Sequence, residues 1–154
     1  LQWDSAQRKD GPLALAFIDL DHFKSINDNH GHESGDQVLR EAARRLVATL
    51  RGSDSLLRWG GEEFLLIMPE TDMQQAHMAL ERIVGQGLGV RPDGAPLTAS
   101  IGLAERRCDQ VADYRDLLEL ADKRMYYAKT SGRNRLCAME PEAVQPPQAL
   151  AVGG

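Results

Sequence analysis

Residues 13–18 form an almost uninterrupted apolar run, which ends at the sequence Asp19-Leu20-Asp21. A run without alternation is typical of a central strand that is buried on both faces and whose end meets solvent. Because side chains alternate along a strand, we expect Asp19 and Asp21 on one side and Leu20 on the other. The pattern therefore predicts a strand that delivers two carboxylates to a solvent-facing edge.

Apolar residues recur at helical spacing in three other segments. These predict helices over 35–50, 73–84 and 114–128. The spacing of a capping box precedes the first two helices, at Ser34 with Gln37 and at Thr71 with Gln74. Gly132 is predicted to end the third helix, since glycine is the usual residue beyond a helix C-terminus.

Short apolar runs at 56–58 and 64–68 flank Gly60-Gly61, which predicts two antiparallel strands joined by a tight turn. Further strands are predicted at about 97–104 and at 136–139. Strands that alternate with helices, together with one hairpin, indicate an α/β fold. We expect a mixed central β-sheet surrounded by helices.

The composition limits the possible classes of protein. A chain of 154 residues supports one domain with a sizeable core, which we predict over 1–139, with a disordered tail at 140–154. The net charge of −5 argues against a nucleic acid polymer as a partner. No apolar run is long enough to cross a membrane, and two distant cysteines form no zinc or disulfide pattern. We expect a cytoplasmic domain that is part of a longer protein, and this expectation is compatible with membrane attachment of the longer protein.

Two acidic clusters are candidates for metal binding. Asp19 and Asp21 end the first strand, and Glu62-Glu63 occupy the hairpin turn. Carboxylates from a strand end and a neighbouring turn suit Mg²⁺, which prefers oxygen ligands. Gly60 and Gly61 lack a Cβ, so the backbone can take a positive φ and a ligand can approach closely. The alternative is that the acids are merely solvated and that the glycines only form a turn.

The sequence Arg58-Trp59-Gly60-Gly61-Glu62-Glu63-Phe64 closely resembles the signature of the GGDEF family of diguanylate cyclases, in its Gly-Gly-Glu-Glu-Phe variant. The segments 17–28, 30–36, 99–102 and 121–134 resemble further blocks of the family, in the same order. Ordered similarity over roughly 13–138 is far more specific than one short motif. It implies a palm-like nucleotide cyclase architecture and the condensation of two GTP molecules into cyclic di-GMP and pyrophosphate.

The resemblance also implies roles for individual residues. Mg²⁺ or Mn²⁺ would be held by Asp19, the carbonyl of Leu20, Glu62 and Glu63. Catalytic roles fall to Glu62, as candidate general base, to Glu63 and to Lys24. Guanine would be read by Asn27 and Asp36 with His32 nearby, and the glycines Gly60 and Gly61 would let the substrate approach. The triphosphate would be held by Lys24, Lys129 and Arg133.

A possible second site precedes the turn. Arg51 and Asp54 resemble the family's Arg-x-x-Asp product site, to which Arg82 of the next predicted helix could contribute. Cyclic di-GMP bound there would inhibit the enzyme, although a surface ion pair explains the same two residues. Because each domain holds one GTP, the resemblance also implies a homodimer of roughly two-fold symmetry.

Two departures and two alternative functions remain open. The chain begins after the Asp-x-Leu-Thr-Gly segment that usually precedes the first helix of the family, and no regulatory module is present in it. One alternative is a catalytically inactive domain that senses cyclic di-GMP or GTP. The other is a different palm-like nucleotidyl transferase, since similar acids and metals serve many phosphoryl transfers.

Overall fold

The computed structural model describes residues 2–139, in which helices cover both faces of a five-stranded sheet. The elements in chain order are α1 (Gln2–Lys9), β1 (Leu13–Leu20), α2 (Phe23–Ala48), β2 (Ser55–Arg58), β3 (Glu63–Pro69), α3 (Met73–Gln86), β4 (Ala99–Glu105), α4 (Tyr114–Thr130) and β5 (Arg135–Cys137). The strand order is β2-β3-β1-β4-β5. Only the pairing of β4 with β5 is parallel. The predicted mixed α/β sheet is confirmed, with β1 at its centre.

Strand β1 contributes alternate side chains to two separate apolar clusters. Ala16 and Ile18 lie in the cluster beneath α2 and α3, whereas Leu15 and Phe17 lie in the cluster beneath α4. Full burial of one large apolar side chain contributes about 1.5–3 kcal/mol. Because a slip of one residue would exchange the two faces, this packing fixes the register of β1 against its neighbours.

Helix α4 lies directly on β4 because residue 102 has no side chain. A Cβ at Gly102 would collide with backbone atoms of Ala121, Arg124 and Met125. Arg124 strengthens this contact, since its guanidinium donates two hydrogen bonds of 2.8 and 2.9 Å to the carboxylate of Asp109. The position of α4, and therefore of the residues at its C-terminal end, depends on this close approach.

Most predicted elements are confirmed. The first strand and the hairpin have the expected bounds within two residues, and the third predicted helix corresponds to α4. The strand predicted at about 97–104 is β4, which begins at Ala99, and the last strand is Arg135–Cys137 rather than 136–139. The predicted tail at 140–154 lies outside the described residues.

The predicted start of the first helix was wrong. Helix α2 begins at Phe23, twelve residues earlier, and contains a non-helical break at Gly31, where φ is 87°. The polar sequence at 27–30 hid the first segment, which is anchored by the buried side chains of Phe23 and Ile26. Ser34 therefore lies inside the helix rather than at its N-cap.

Two other local predictions need correction. The cap of α3 is Asp72, whose side chain accepts from the backbone N–H of Gln75 at 2.8 Å, so the capping box lies one residue beyond the predicted pair Thr71 and Gln74. Thr71 is instead buried and donates its hydroxyl to the carbonyl of Pro69 at 2.9 Å. Helix α1, which no pattern predicted, packs through Trp3 against the cluster beneath α4.

We expect Gly102→Ala to lower the free energy of unfolding by about 1–3 kcal/mol, the usual cost of overpacking, because the new methyl group meets backbone that cannot turn away. Chemical denaturation measures the change. The matched control is Gly85→Ala in α3, where a Cβ meets nothing within 4 Å. That substitution should raise the free energy of unfolding by about 0.5–1 kcal/mol. Equal effects of the two substitutions would contradict the close packing of α4 on β4.

Candidate functional site

The end of β1 meets the hairpin turn through backbone pairing. Asp19 is the register partner of Glu63 on β3, and the N–H of Leu20 donates to the carbonyl of Glu62 at 3.1 Å. Directly opposed residues of an antiparallel pair share a face, with Cβ atoms about 4.5–5.5 Å apart. The two acidic segments that the sequence analysis singled out therefore converge at one point of the sheet edge.

Asp19 is a buried acid whose surroundings raise its pKa. Its side chain is almost fully buried, and its Oδ2 accepts a hydrogen bond from Nζ of Lys129 at 3.1 Å. Burial raises the pKa of Asp19 to about 6, against the lowering effect of Lys129 and with added repulsion from Glu62 and Glu63. A divalent cation beside Asp19 would relieve both the burial cost and the repulsion.

The three acids fit a hard divalent cation by their chemistry, because each offers carboxylate oxygens. Within residues 2–139, no three acidic, histidine or cysteine side chains are already gathered in the geometry of a metal site. Asp19 is held by Lys129 instead. A cation shared by all three acids would therefore require their side chains to move closer together.

The signature turn is closed by its own backbone and by one arginine. The N–H groups of Trp59 and Gly60 both donate to the carbonyl of Glu63, at 2.8 and 3.3 Å. The guanidinium of Arg58 donates to the carbonyls of Gly60 and Gly61, at 3.3 and 2.8 Å. These contacts hold the turn, and with it Glu62, beside the end of β1.

Neither turn glycine uses the positive φ that the sequence analysis allowed it. A Cβ at Gly61 would meet nothing within 4 Å, and one at Gly60 would come only within 3.8 Å of Glu63. The protein fold itself therefore has room for a side chain at both positions. The absence of side chains leaves open space above the turn, which suits the approach of a ligand.

The first segment of α2 brings Asn27 against the second segment. A Cβ at Gly35 would collide with Oδ1 of Asn27, so this contact requires glycine. Oδ1 of Asn27 is buried and has no hydrogen-bond partner within residues 2–139. An unsatisfied buried carbonyl costs about 1–3 kcal/mol, which a donor on a ligand would offset.

Asp36, which follows Gly35, lines a cleft of about 300 Å³ between α2 and the hairpin. Arg40, Arg58 and Phe64 also line this cleft, and Arg40 was not among the predicted site residues. Its helical spacing of four from Asp36 was the available signal. His32 and Lys24 are exposed on α2 and do not line the cleft.

The C-terminal end of α4 supplies basic residues. Lys129 lies in the last turn of the helix, and Arg133 lies in the turn that follows. Arg133 and Asn134 both have left-handed backbone conformations, with φ of 62° and 46°, after Gly132 with φ of 130°. Two consecutive left-handed residues other than glycine are unusual and require support from their surroundings.

Asp21 provides part of that support, which the sequence analysis did not foresee. Its Oδ1 accepts from the hydroxyl of Ser100 at 2.6 Å. Its Oδ2 accepts from the hydroxyl of Thr98 at 2.6 Å and from the backbone N–H of Asn134 at 2.9 Å. Because Ser100 is the register partner of Asp19, Asp21 lies on the same face as Asp19, as predicted.

A second, larger cavity of about 690 Å³ brings together Arg51, Asp54 and Arg82 at the end of α2 and along α3. The backbone N–H of Arg51 donates to Oδ2 of Asp54 at 3.0 Å, and its guanidinium donates to Thr71. Oδ1 of Asp54 is buried without a hydrogen-bond partner among the described residues. Arg44 and Arg45 also line the cavity, which makes it strongly basic.

No helix within the described part of the chain is both long and apolar enough to cross a membrane.

Comparison with known proteins shows the family of this chain. The family described as "Diguanylate cyclase, GGDEF domain" matches residues 1–135. A curated relative, the probable diguanylate cyclase DgcC of Escherichia coli, is 42% identical over 138 residues, which cover 87% of this chain and 37% of the relative. The diguanylate cyclase DgcM of Escherichia coli is 41% identical over 126 residues, which cover 81% of this chain and 30% of the relative.

Two solved structures share the fold. The active GGEEF domain of a diguanylate cyclase from Vibrio cholerae has a TM-score of 0.84 and 29% identity, and the match covers 92% of this chain and 91% of that one. The GGDEF domain of DgcB from Caulobacter crescentus, solved in complex with c-di-GMP, has a TM-score of 0.80 and 33% identity, with coverage of 91% and 85%.

The chain spans less than two fifths of the length of these curated relatives. Within that span the family match includes the strand end, the signature turn and the turn after α4. The chain belongs to the GGDEF domain family of diguanylate cyclases.

Proposed function

We propose that this domain condenses two molecules of GTP into cyclic di-GMP and two molecules of pyrophosphate. The observation that carries the proposal is the direct pairing of Asp19 with Glu63 across β1 and β3, with Lys129 on the same carboxylate. Relatives named diguanylate cyclases and the active GGEEF domain of similar fold support it. The whole protein's activity rests on the same proposal, because the chain covers only part of its relatives.

The proposed cofactor is Mg²⁺ or Mn²⁺, held by Asp19, Glu62, Glu63 and the carbonyl of Leu20. Bound there, a divalent cation would offset negative charge on the phosphates and on the departing pyrophosphate. The buried carboxyl of Asp19, whose pKa is about 6 without a cation, supports this choice of site. Lys129 would then be released from Asp19 and become free to pair with phosphate.

Guanine is proposed to bind between the two segments of α2, with His32 at the rim. The unsatisfied Oδ1 of Asn27 can accept a hydrogen bond from the base, and the carboxylate of Asp36 can accept hydrogen bonds from the ring N–H and the exocyclic amino group. Adenine offers no such pair of donors. We therefore infer a preference for GTP over ATP.

In the proposed reaction, the 3′-hydroxyl of one GTP attacks the α-phosphorus of the other. A phosphorus–oxygen bond forms as the bond to pyrophosphate breaks, and Glu62 is the candidate to take the hydroxyl proton. Lys24, Lys129 and Arg133 hold the phosphates by charge-assisted hydrogen bonds, while Gly60 and Gly61 leave space for them. Since each domain carries one nucleotide, two copies must face each other as a homodimer.

Product inhibition is proposed at the cavity formed by Arg51, Asp54 and Arg82. The arginines suit the phosphates of cyclic di-GMP, and the unsatisfied Oδ1 of Asp54 suits a donor on guanine. The complex of the Caulobacter crescentus domain with c-di-GMP supports binding of this ligand by the fold. A surface ion pair alone does not explain a buried oxygen without a partner.

The proposed activity is tested by incubating the chain with GTP and Mg²⁺ and identifying the product by mass. We expect cyclic di-GMP and pyrophosphate from the parent, and a rate lower by about 100-fold or more for Glu63→Gln, which keeps the shape of the side chain but removes a charged metal ligand. Binding without turnover, even in a copy fused to a dimerising helix, would support a sensor. A different nucleotide product would support another nucleotidyl transferase.

We expect Asp19→Asn to raise the stability of the metal-free protein above pH 7. The pKa of Asp19 is raised to about 6 in the folded state, so the cost of its charge is absent below pH 4, grows between about pH 4 and 6 and is complete above that range. After allowance for solvent screening, removing the charge should stabilise the fold by about 1–2 kcal/mol.

Thermal unfolding in EDTA at pH 4 and pH 7.5 measures the effect of Asp19→Asn, with Asp122→Asn on the exposed face of α4 as control. Addition of Mg²⁺ should raise the melting temperature of the parent and of the control. It should raise the melting temperature of Asp19→Asn much less. A metal-free Asp19→Asn variant less stable than the parent at pH 7.5 would refute the electrostatic account.

Arg51→Ala should weaken inhibition by cyclic di-GMP by about tenfold or more, with little loss of initial rate, because the lost guanidinium contacts a ligand phosphate rather than the reacting atoms. Initial rates of pyrophosphate release at increasing cyclic di-GMP measure the change. Arg107→Ala, at an exposed arginine that does not line the cavity, is the control. Unchanged inhibition in Arg51→Ala would leave rebinding of product at the active site as the explanation.

A further inference from the structure

We propose that Asp21 is a positioning residue, which holds the turn at 132–134 so that Arg133 meets the triphosphate. The inference rests on the proposed function, because that function assigns the triphosphate to Arg133. It goes further because it assigns a role to the buried carboxylate of Asp21, which belongs to neither the proposed metal site nor the proposed guanine site. The relevant contacts join residues more than 75 positions apart in the chain.

The carboxylate of Asp21 is buried and accepts several hydrogen bonds from the protein. Its residue is 3% exposed, and its two carboxylate oxygens accept three hydrogen bonds, from Ser100, Thr98 and the backbone of Asn134. Its own N–H donates to the carbonyl of Thr98 at 2.9 Å. A carboxylate that is almost fully buried and already accepts three protein hydrogen bonds is a poor metal ligand, because a metal ion would compete with donors that have no other partner nearby.

The turn held by Asp21 is one that the chain does not favour by itself. Arg133 and Asn134 are both left-handed, and such conformations cost non-glycine residues about 1 kcal/mol or more each. The backbone N–H of Arg133 donates to the carbonyl of Ala128 at 2.9 Å, and this bond connects the turn to the end of α4. The bond from Asn134 to Asp21 ties the turn to the end of β1, next to the pairing of Arg135 with Ser100 that begins β5.

The end of β1 therefore contacts both the last turn of α4, which carries Lys129, and the turn after α4, which carries Arg133. Asp19 contacts Lys129 in the last helical turn, and Asp21 contacts the turn that carries Arg133. The two contacts differ in one respect. In the proposed site a cation competes with Lys129 for the carboxylate of Asp19, whereas the contacts of Asp21 involve no proposed metal or nucleotide ligand. Asp21 can therefore hold Arg133 in place throughout the reaction.

A double-mutant cycle tests this positioning role. The variants are Asp21→Ala, Arg133→Ala and the double variant. The first readout is the dissociation constant for α,β-methylene-GTP with Mg²⁺, and the second is kcat and KM for GTP. We expect each single substitution to weaken binding of the analogue by about tenfold, and the double variant to bind no more than about twofold worse than the weaker single variant.

Two further variants separate positioning from general damage to the fold. Asp21→Asn keeps one oxygen for Thr98 and Asn134, because the hydroxyl of Ser100 can turn to accept from the new amide. It should bind the analogue within about threefold of the parent. Ser100→Ala removes a donor from Oδ1 but leaves the bond to Asn134 intact, so it should lower the melting temperature with less than about a twofold change in binding.

Additive effects in the cycle, about 100-fold in the double variant, would overturn the inference. So would a Ser100→Ala variant that loses binding as much as Asp21→Ala. If Asp21→Ala does not fold, Asp21→Ser replaces it in the same cycle, since serine keeps a polar group near Ser100 but is too short to reach Asn134.

The two proposals fail in different ways. A parent that binds the analogue but makes no cyclic di-GMP would refute the cyclase activity, while the binding cycle would still test Asp21. A parent that makes cyclic di-GMP and gives an additive cycle would refute the positioning role alone. A parent that neither binds the analogue nor makes cyclic di-GMP would refute both.

Discussion

The antiparallel pairing of β1 with β3 is the constraint on which the site depends. Its register runs from Leu13 opposite Pro69 to Asp19 opposite Glu63. A shift of one residue would turn the apolar side chains of β1 into the wrong cluster and would also move Asp19 to the opposite face. The packing of the core therefore also positions the acids. Stability and the geometry of the site are selected by the same packing.

The close contact of α4 with β4 acts in the same way on the basic residues. With Gly102 beneath it, the helix lies near enough to the sheet for Lys129 to reach Asp19. The carboxylate and the ammonium group come from positions 110 residues apart. Their contact depends on the short distance between α4 and the sheet, which the absence of a side chain at Gly102 permits. A small residue in the core can thus control a polar contact at the edge.

Much of this arrangement could be predicted from the sequence. Continuous apolar runs identified β1 and β3, helical periodicity identified the body of α2, α3 and α4, and the resemblance around the turn identified the acids. The start of α2 could not be predicted in this way, because the segment from Phe23 to Gly31 buries only a few side chains. Helix α1 is short, and its apolar residues are Trp3 and Ala6, which are too few to reveal a helical repeat in the sequence.

The site residues that sequence patterns missed are those whose role depends on long-range contacts. Arg40 lines the cleft with Asp36, and its position was visible only as a helical spacing. The need for Gly35 becomes clear only when Asn27 is seen against it, across the break in α2. Local patterns report which face is buried, but they do not report which distant donor meets a given acceptor.

Asp19 and Asp21 illustrate this limit, since the sequence treats them as equivalent and the fold does not. Both are buried carboxylates on one face at the end of β1. Asp19 accepts from a single flexible ammonium and has two acidic neighbours, so burial leaves its pKa raised and its oxygens available. Asp21 accepts from two hydroxyl groups and one backbone N–H, which leaves little capacity for anything else. The number of fixed donors around each carboxylate, rather than its position in the motif, determines which one can exchange a protein contact for a cation.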